Sequence, residues 1–119
     1  NPEDAFHSAS ADARGFATSG GVAQAVVNAI KKMDPDREVK VASAQGLAEC
    51  KKLMTMAKAG KYNGYLLEGM ACPGGCIAGA GTLADPAKSI AMLNKYKAEA
   101  EMKVATETPF QDSLELLHY

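Results

Sequence analysis

Cysteine occurs three times and histidine twice in this 119-residue chain. Three cysteines is an odd number, far below the density of small secreted disulfide scaffolds, so a reducing, cytoplasmic setting is expected. Neither His7 nor His118 has a triad partner within sequence reach, and both read as ordinary surface histidines. Charge of one sign is missing as well: the net charge is −1, and the lysines sit on separate segments beside acidic residues. That excludes a bulk electrostatic pull on nucleic acid. No window reaches the ~18 to 20 consecutive apolar residues that a membrane-spanning helix needs. No charged start followed by an apolar run marks a secretory signal. The sequence opens at Asn1, without methionine, which suggests a processed product or a piece of something longer. Gly20-Gly21 lacks a Walker lysine or a G-x-G-x-x-G fingerprint, so it reads as a structural turn rather than a phosphate cradle.

What is present has the balance of one globular domain, 47% hydrophobic and 23% charged residues, in a length that buries one modest core. A single domain over residues 1–119 is expected, with 1–13 and 101–107 flexible or linking. Val22, Ala25, Val26, Ala29, Ile30 and Met33 fall at helical spacing, and Asp34-Pro35 ends that helix. Residues 39–43 alternate and are β-branched, a strand signal. Leu47, Cys50, Leu53, Met54 and Ala57 form a second helical stripe, stopped at Gly60. Cys50 on that stripe reads as a small hydrophobe in the core, and most methionines read as core filler. Residues 62–70 read as a second strand. Asp85-Pro86 starts a helix that runs to about Ala100. Thr108-Pro109-Phe110-Gln111 predicts a last short helix with a capping box, docked through Phe110, Leu114 and Leu117.

Strand, helix and strand with short links imply a right-handed crossover between two parallel strands. The fold class is therefore α/β, a small parallel sheet with flanking helices. Two strands alone are marginal, so the sheet is expected to continue with strands from residues 1–19 or from polypeptide outside this sequence.

The second strand runs directly into "EGMACPGGCIAGAGT", residues 68–82. Functional loops of α/β sheets leave the carboxyl ends of strands, and Cys72 and Cys76 occupy that place. Glycines at 74 and 75 permit the sharp bend that two converging thiolates need, and Pro73 stiffens it. A tight turn with two buried thiols, a redox dithiol and part of a metal site all remain open. A thioredoxin-type dithiol would be C-x-x-C, one residue shorter. Zinc and iron–sulfur centres normally take four ligands, so two cysteines in a glycine cradle look like half of a site.

"LLEGMACPGGCIAGAG", with "GFATSGGVAQAV" and "VASAQGLAECKKLM" upstream, resembles the C-terminal part of the catalytic domain of FeFe-hydrogenases. The three blocks come in that family's order over about residues 14–100. Glu68, Met70, Cys72, Gly75 and Cys76 match its third cysteine signature. The resemblance implies half of a two-lobed catalytic domain that interconverts protons and hydrogen. Cys72 would bind one iron of a 4Fe-4S cubane, and Cys76 another iron while bridging to the diiron centre of the H-cluster. Met70 and Phe16 would stand close to that centre, with Gly75 in the cradle. Glu68 would hydrogen-bond the loop or help carry protons; by itself it reads as a surface carboxylate.

The implied partners are the remainder of a hydrogenase chain and an electron carrier such as a ferredoxin, with no nucleic acid and no membrane. Two further cubane cysteines, a proton-relaying cysteine and a lysine of the family have no match in residues 1–71. Thr82-Leu83 stands where the family usually has Gln-Pro. The 119 residues alone are therefore expected to hold no cofactor and to be inactive. A non-catalytic relative, in iron–sulfur assembly or in redox or hydrogen sensing, is the alternative.

Overall fold

A computed structural model describes residues 8–116, with side chains described to Ser113. Among these residues four helices and two strands follow one another: α1 (Ala11–Arg14), α2 (Gly21–Met33), β1 (Lys40–Gln45), α3 (Leu47–Lys58), β2 (Tyr65–Met70) and α4 (Pro86–Ala98). Short 3-10 turns occupy Gly15–Ala17, Cys76–Ala78, Ala105–Glu107 and Gln111–Leu116. The protein is thus α/β, as its strand–helix–strand pattern requires.

β1 and β2 pair in parallel, in a register running from Lys40 opposite Tyr65 to Gln45 opposite Met70. Both strands end level, so the turn after β1 and the cysteine loop after β2 leave the same edge of the sheet. Successive strand residues face opposite sides. Glu68 reaches α2, while a Cβ on Gly69 would stand 3.3 Å from the Cys50 sulfur of α3. The sheet therefore lies between α2 and α3.

Helix ends follow local chemistry. Asp85 caps α4 by accepting from the Lys88 N–H at 3.0 Å, with Pro86 in the first turn. Ser10 caps α1 in the same way through the Ala13 N–H. α2 has no side-chain cap from its own N-cap residue, Gly20. Gly21 must be glycine, because a Cβ there would collide with the carbonyl oxygen of Gly15.

The core is thin. Among the described residues its buried apolar members are Ala23, Ala25, Val27, Ala44, Leu53 and Ala100. Several expectations change accordingly. On α2 the buried face carries Ala23 and Val27, whereas Val26 and Met33 are exposed. Gln24, Asn28, Lys31 and Lys32 share one side of that helix and leave a wide apolar arc. Spacing alone does not choose which part of the arc is covered, and its small residues take the closest contact. On α3, Leu53 is buried and Cys50 half-buried, but Leu47 and Met54 flank that line and face out. Met92 is exposed too, so the methionines are not mainly core filler.

Residues 8–19 supply no strand, and the sheet has two strands among the described residues. Residues 1–7, with His7, and Leu117, His118 and Tyr119 lie outside the described residues. The last helix is a 3-10 turn rather than an α-helix. Gln111 donates to the Thr106 carbonyl instead of closing a box with Thr108, and Phe110 is exposed. A side-chain cap forms earlier, where Glu107 accepts from the Lys103 and Val104 N–H groups.

Among the described residues Met33, Leu47, Met54, Leu83, Met92 and Phe110 all stand in solvent. Much apolar surface is therefore uncovered. No helix among the described residues is long and apolar enough to cross a membrane.

Candidate metal centre

Cys72 and Cys76 bound a bend that is fastened at three places. At its root, Gly46 N–H donates to the Met70 carbonyl at 2.8 Å, locking the two strand ends together. At its tip, Gly74 N–H donates to Gln45 Oε1 at 2.7 Å, and the Gly74 carbonyl accepts from Ser19 N–H at 3.2 Å. Beside it, Gly75 is buried against the backbone of residues 17–19. A Cβ there would lie 2.5 Å from the Ala17 carbonyl oxygen and 2.6 Å from Ser19 N, and its φ of 92° is left-handed. Both facts require glycine.

All three cysteines are free thiols; Cys72 is half-buried and Cys76 exposed. Cys76 opens a 3-10 turn that closes with Gly79 N–H on the Cys76 carbonyl. A Cβ at Gly79 would stand 3.3 Å from the Cys72 sulfur, so the bare glycine leaves that flank of the thiol open. Soft thiolate sulfur is the donor that iron–sulfur groups take. Among the described residues no three His, Cys, Asp or Glu side chains converge. The donors present therefore fit part of an iron–sulfur cage, not a whole one.

The other expected residues fall around this bend. Met70 ends β2, half-buried, and its carbonyl also lies 3.6 Å from the Cys50 sulfur. Cys50 lies as close to the Ala44 carbonyl, at 3.7 Å, which suits the packing role read for it. Phe16 sits on the 3-10 turn just before the segment that abuts Gly75, and is 46% exposed. Ile77 faces a groove of about 340 Å³ shared with Ser89, Met92, Leu93 and Tyr96.

Glu68 is not a surface carboxylate. It is 7% exposed, and Oε1 accepts from the Ala23 N–H of α2 at 3.1 Å. A strand residue thus supplies the cap that Gly20 cannot, and negative charge suits that end of the helix dipole. Its Oε2 is buried without a hydrogen-bond partner. The carboxylate already occupies the site at which Gly20-Gly21 would have met a phosphate. Gln45 and Ser19 escape sequence reasoning because a lone amide and a backbone N–H carry no pattern. The Glu68 cap is hidden as well, because Thr18 and Ser19 stand beside the two glycines as ordinary cap candidates.

The profile of the family described as iron only hydrogenase large subunit, C-terminal domain, matches residues 1–80. That span takes in α1 to β2 and the whole bend from Cys72 to Gly79. No curated protein matches the chain.

Proposed function

The chain belongs to the family of the iron-only hydrogenase large subunit, C-terminal domain, and on that premise we propose that it forms one lobe of a hydrogenase catalytic domain. When bound, a 4Fe-4S cluster linked to a diiron centre supplies the redox chemistry that interconverts protons and hydrogen. Cys72 and Cys76 would hold the cluster as thiolates, with the remaining ligands supplied by other polypeptide. Gly75 lets the bend seat against residues 17–19, while Met70 and Phe16 screen the bound group from water. A dry shell of this kind is one lever on a cluster's potential. The implied electron carrier would be one such as a ferredoxin, and the implied setting the cytoplasm.

The observation that carries this reading is a family match that runs through an anchored bend bearing two free thiols. The apolar side chains exposed among the described residues support a polypeptide partner, since obligate interfaces are rich in such groups. The test uses the full natural polypeptide that contains this sequence, reconstituted with iron and sulfide without oxygen. Wild type is expected to bind a 4Fe-4S cluster, and Cys72→Ala to lose it by iron, sulfide and absorbance. Full iron retention in the variant would remove Cys72 from the ligand set.

A second reading has its own support: the family match stops at Ala80, and Thr82-Leu83 follows in place of Gln-Pro. A non-catalytic hydrogenase-like protein, in iron–sulfur assembly or in redox or hydrogen sensing, would keep the cysteines and lose turnover. Hydrogen uptake by the matured protein decides against it.

A further inference from the structure

We infer that Gln45 is a positioning residue for the two loop thiols, acting through the Gly74 peptide. Gly74 stands between Cys72 and Cys76, so the orientation of its peptide governs how the two sulfurs are presented. Its N–H donates to Gln45 Oε1 at 2.7 Å, a short bond for an amide pair, and its carbonyl is held from the other side by Ser19 N–H. The contact follows from the register. Gln45 is the last residue of β1, opposite Met70, so its side chain leaves the sheet edge where the cysteine loop begins.

Next to it, Gly46 adopts φ 84°, and a Cβ there would stand 3.8 Å from Pro73 Cγ. One strand end is thus bonded to Met70 and Gly74, with Pro73 alongside. Gln45 is exposed and no packing requires an amide there. Among the described residues its side chain bonds the Gly74 N–H. The bend is thereby shaped before anything binds, and a preshaped pair of donors loses less entropy on capture. This inference rests on the proposed function for what the sulfurs hold, and stands without it for the geometry of the loop.

The test reads that geometry directly. The 119-residue chain, reduced and carrying Cys50→Ala so that only the loop thiols remain, is titrated with phenylarsine oxide. This probe closes a ring on two thiols with release of one water. Gln45→Met keeps length and shape but loses the amide acceptor; Gln45→Glu keeps an acceptor oxygen. Gln45→Met is expected to weaken capture about 3- to 10-fold, the range one neutral hydrogen bond commands. Gln45→Glu should stay within about twofold of the parent.

Hydrogen exchange at the Gly74 amide should quicken in the Met variant alone, with thermal midpoints of both unchanged. Equal capture by Gln45→Met and the parent would overturn the role. So would equal losses in both variants, or a loss that only follows a falling midpoint. None of these readings depends on iron, so a failed cluster reconstitution leaves them intact.

Discussion

Around Cys72 and Cys76 the chain is fastened by backbone groups and one neutral amide, whereas α4 and the segment after it are fastened by charged side chains. The first set comprises the Gly46–Met70 bond, the two bonds to Gly74 and the seat of Gly75. The second begins with Arg14. This buried residue donates to the Ala9 and Tyr96 carbonyls and lies 3.9 Å over the Tyr96 ring. Lys103 then closes the end of α4 on the Ala98 and Ala100 carbonyls. Glu107 holds Lys32 at 2.5 Å and the two N–H groups of Lys103 and Val104. Backbone contacts fix positions to a fraction of an ångström and ignore salt and pH. Long charged side chains hold more loosely and respond to both. The boundary follows the family match, which ends at residue 80. Rigid fastening is found where two sulfurs must be presented, and adjustable fastening where the chain only has to stay attached.

Gly75→Ala is the severest way to break that contrast. The new Cβ meets backbone atoms at 2.5 to 2.8 Å, which no rotamer change relieves, at a φ that alanine disfavours. Strain and overpacking together predict a loss of about 2–4 kcal/mol in urea unfolding. A loss under about 0.5 kcal/mol would mean that the bend does not seat on residues 17–19. Arg14→Ala comes next. It removes the bonds to the Ala9 and Tyr96 carbonyls and a stacked cation from a site that is 9% exposed, for an expected loss of about 2 kcal/mol. Arg14→Lys should recover less than half, because an ammonium cannot serve both carbonyls and stack on the ring. Full recovery by lysine would show that charge alone, not the planar guanidinium, ties α1 to α4.

The same division governs what the sequence discloses. Where an element is set by neighbours in the chain, it is legible: Asp34-Pro35 ends α2, Asp85-Pro86 starts α4, and glycines bracket the cysteine bend. Where an element is set by partners far along the chain, it is not. Val26, Leu47 and Met54 lie at helical spacing yet face outward, because spacing describes a stripe and not what covers it. Thr108 and Gln111 have the spacing of a capping box. Glu107 instead captures the N–H groups of Lys103 and Val104 while gripping Lys32 from α2. Of the candidate site, the two cysteines and Gly75 could be picked out from spacing and resemblance. The clamp from Gln45 and the cap from Glu68 could not, since each depends on the β1–β2 register.

The mildest expected effect lies in the charged half and sharpens the comparison by pH. The Lys32 ammonium, followed by the Val104 and Lys103 N–H groups, lowers the Glu107 carboxyl from 4.5 to about 2. All three favour the carboxylate. A group depressed on folding adds stability that is complete above its unfolded value and disappears as pH falls from about 4.5 through about 2. Glu107 is exposed, so screening keeps that contribution small. Its titration is best read on the Lys103 and Val104 amide resonances, which should shift with a midpoint near 2. Lys32→Gln removes the largest cause and should raise the midpoint toward 4.5, while the two backbone donors keep it below. Moderate salt should act in the same direction as Lys32→Gln, but less strongly. A wild-type midpoint already at 4.5, or one indifferent to Lys32→Gln, would mean that the segment after α4 is held by something other than this ion pair.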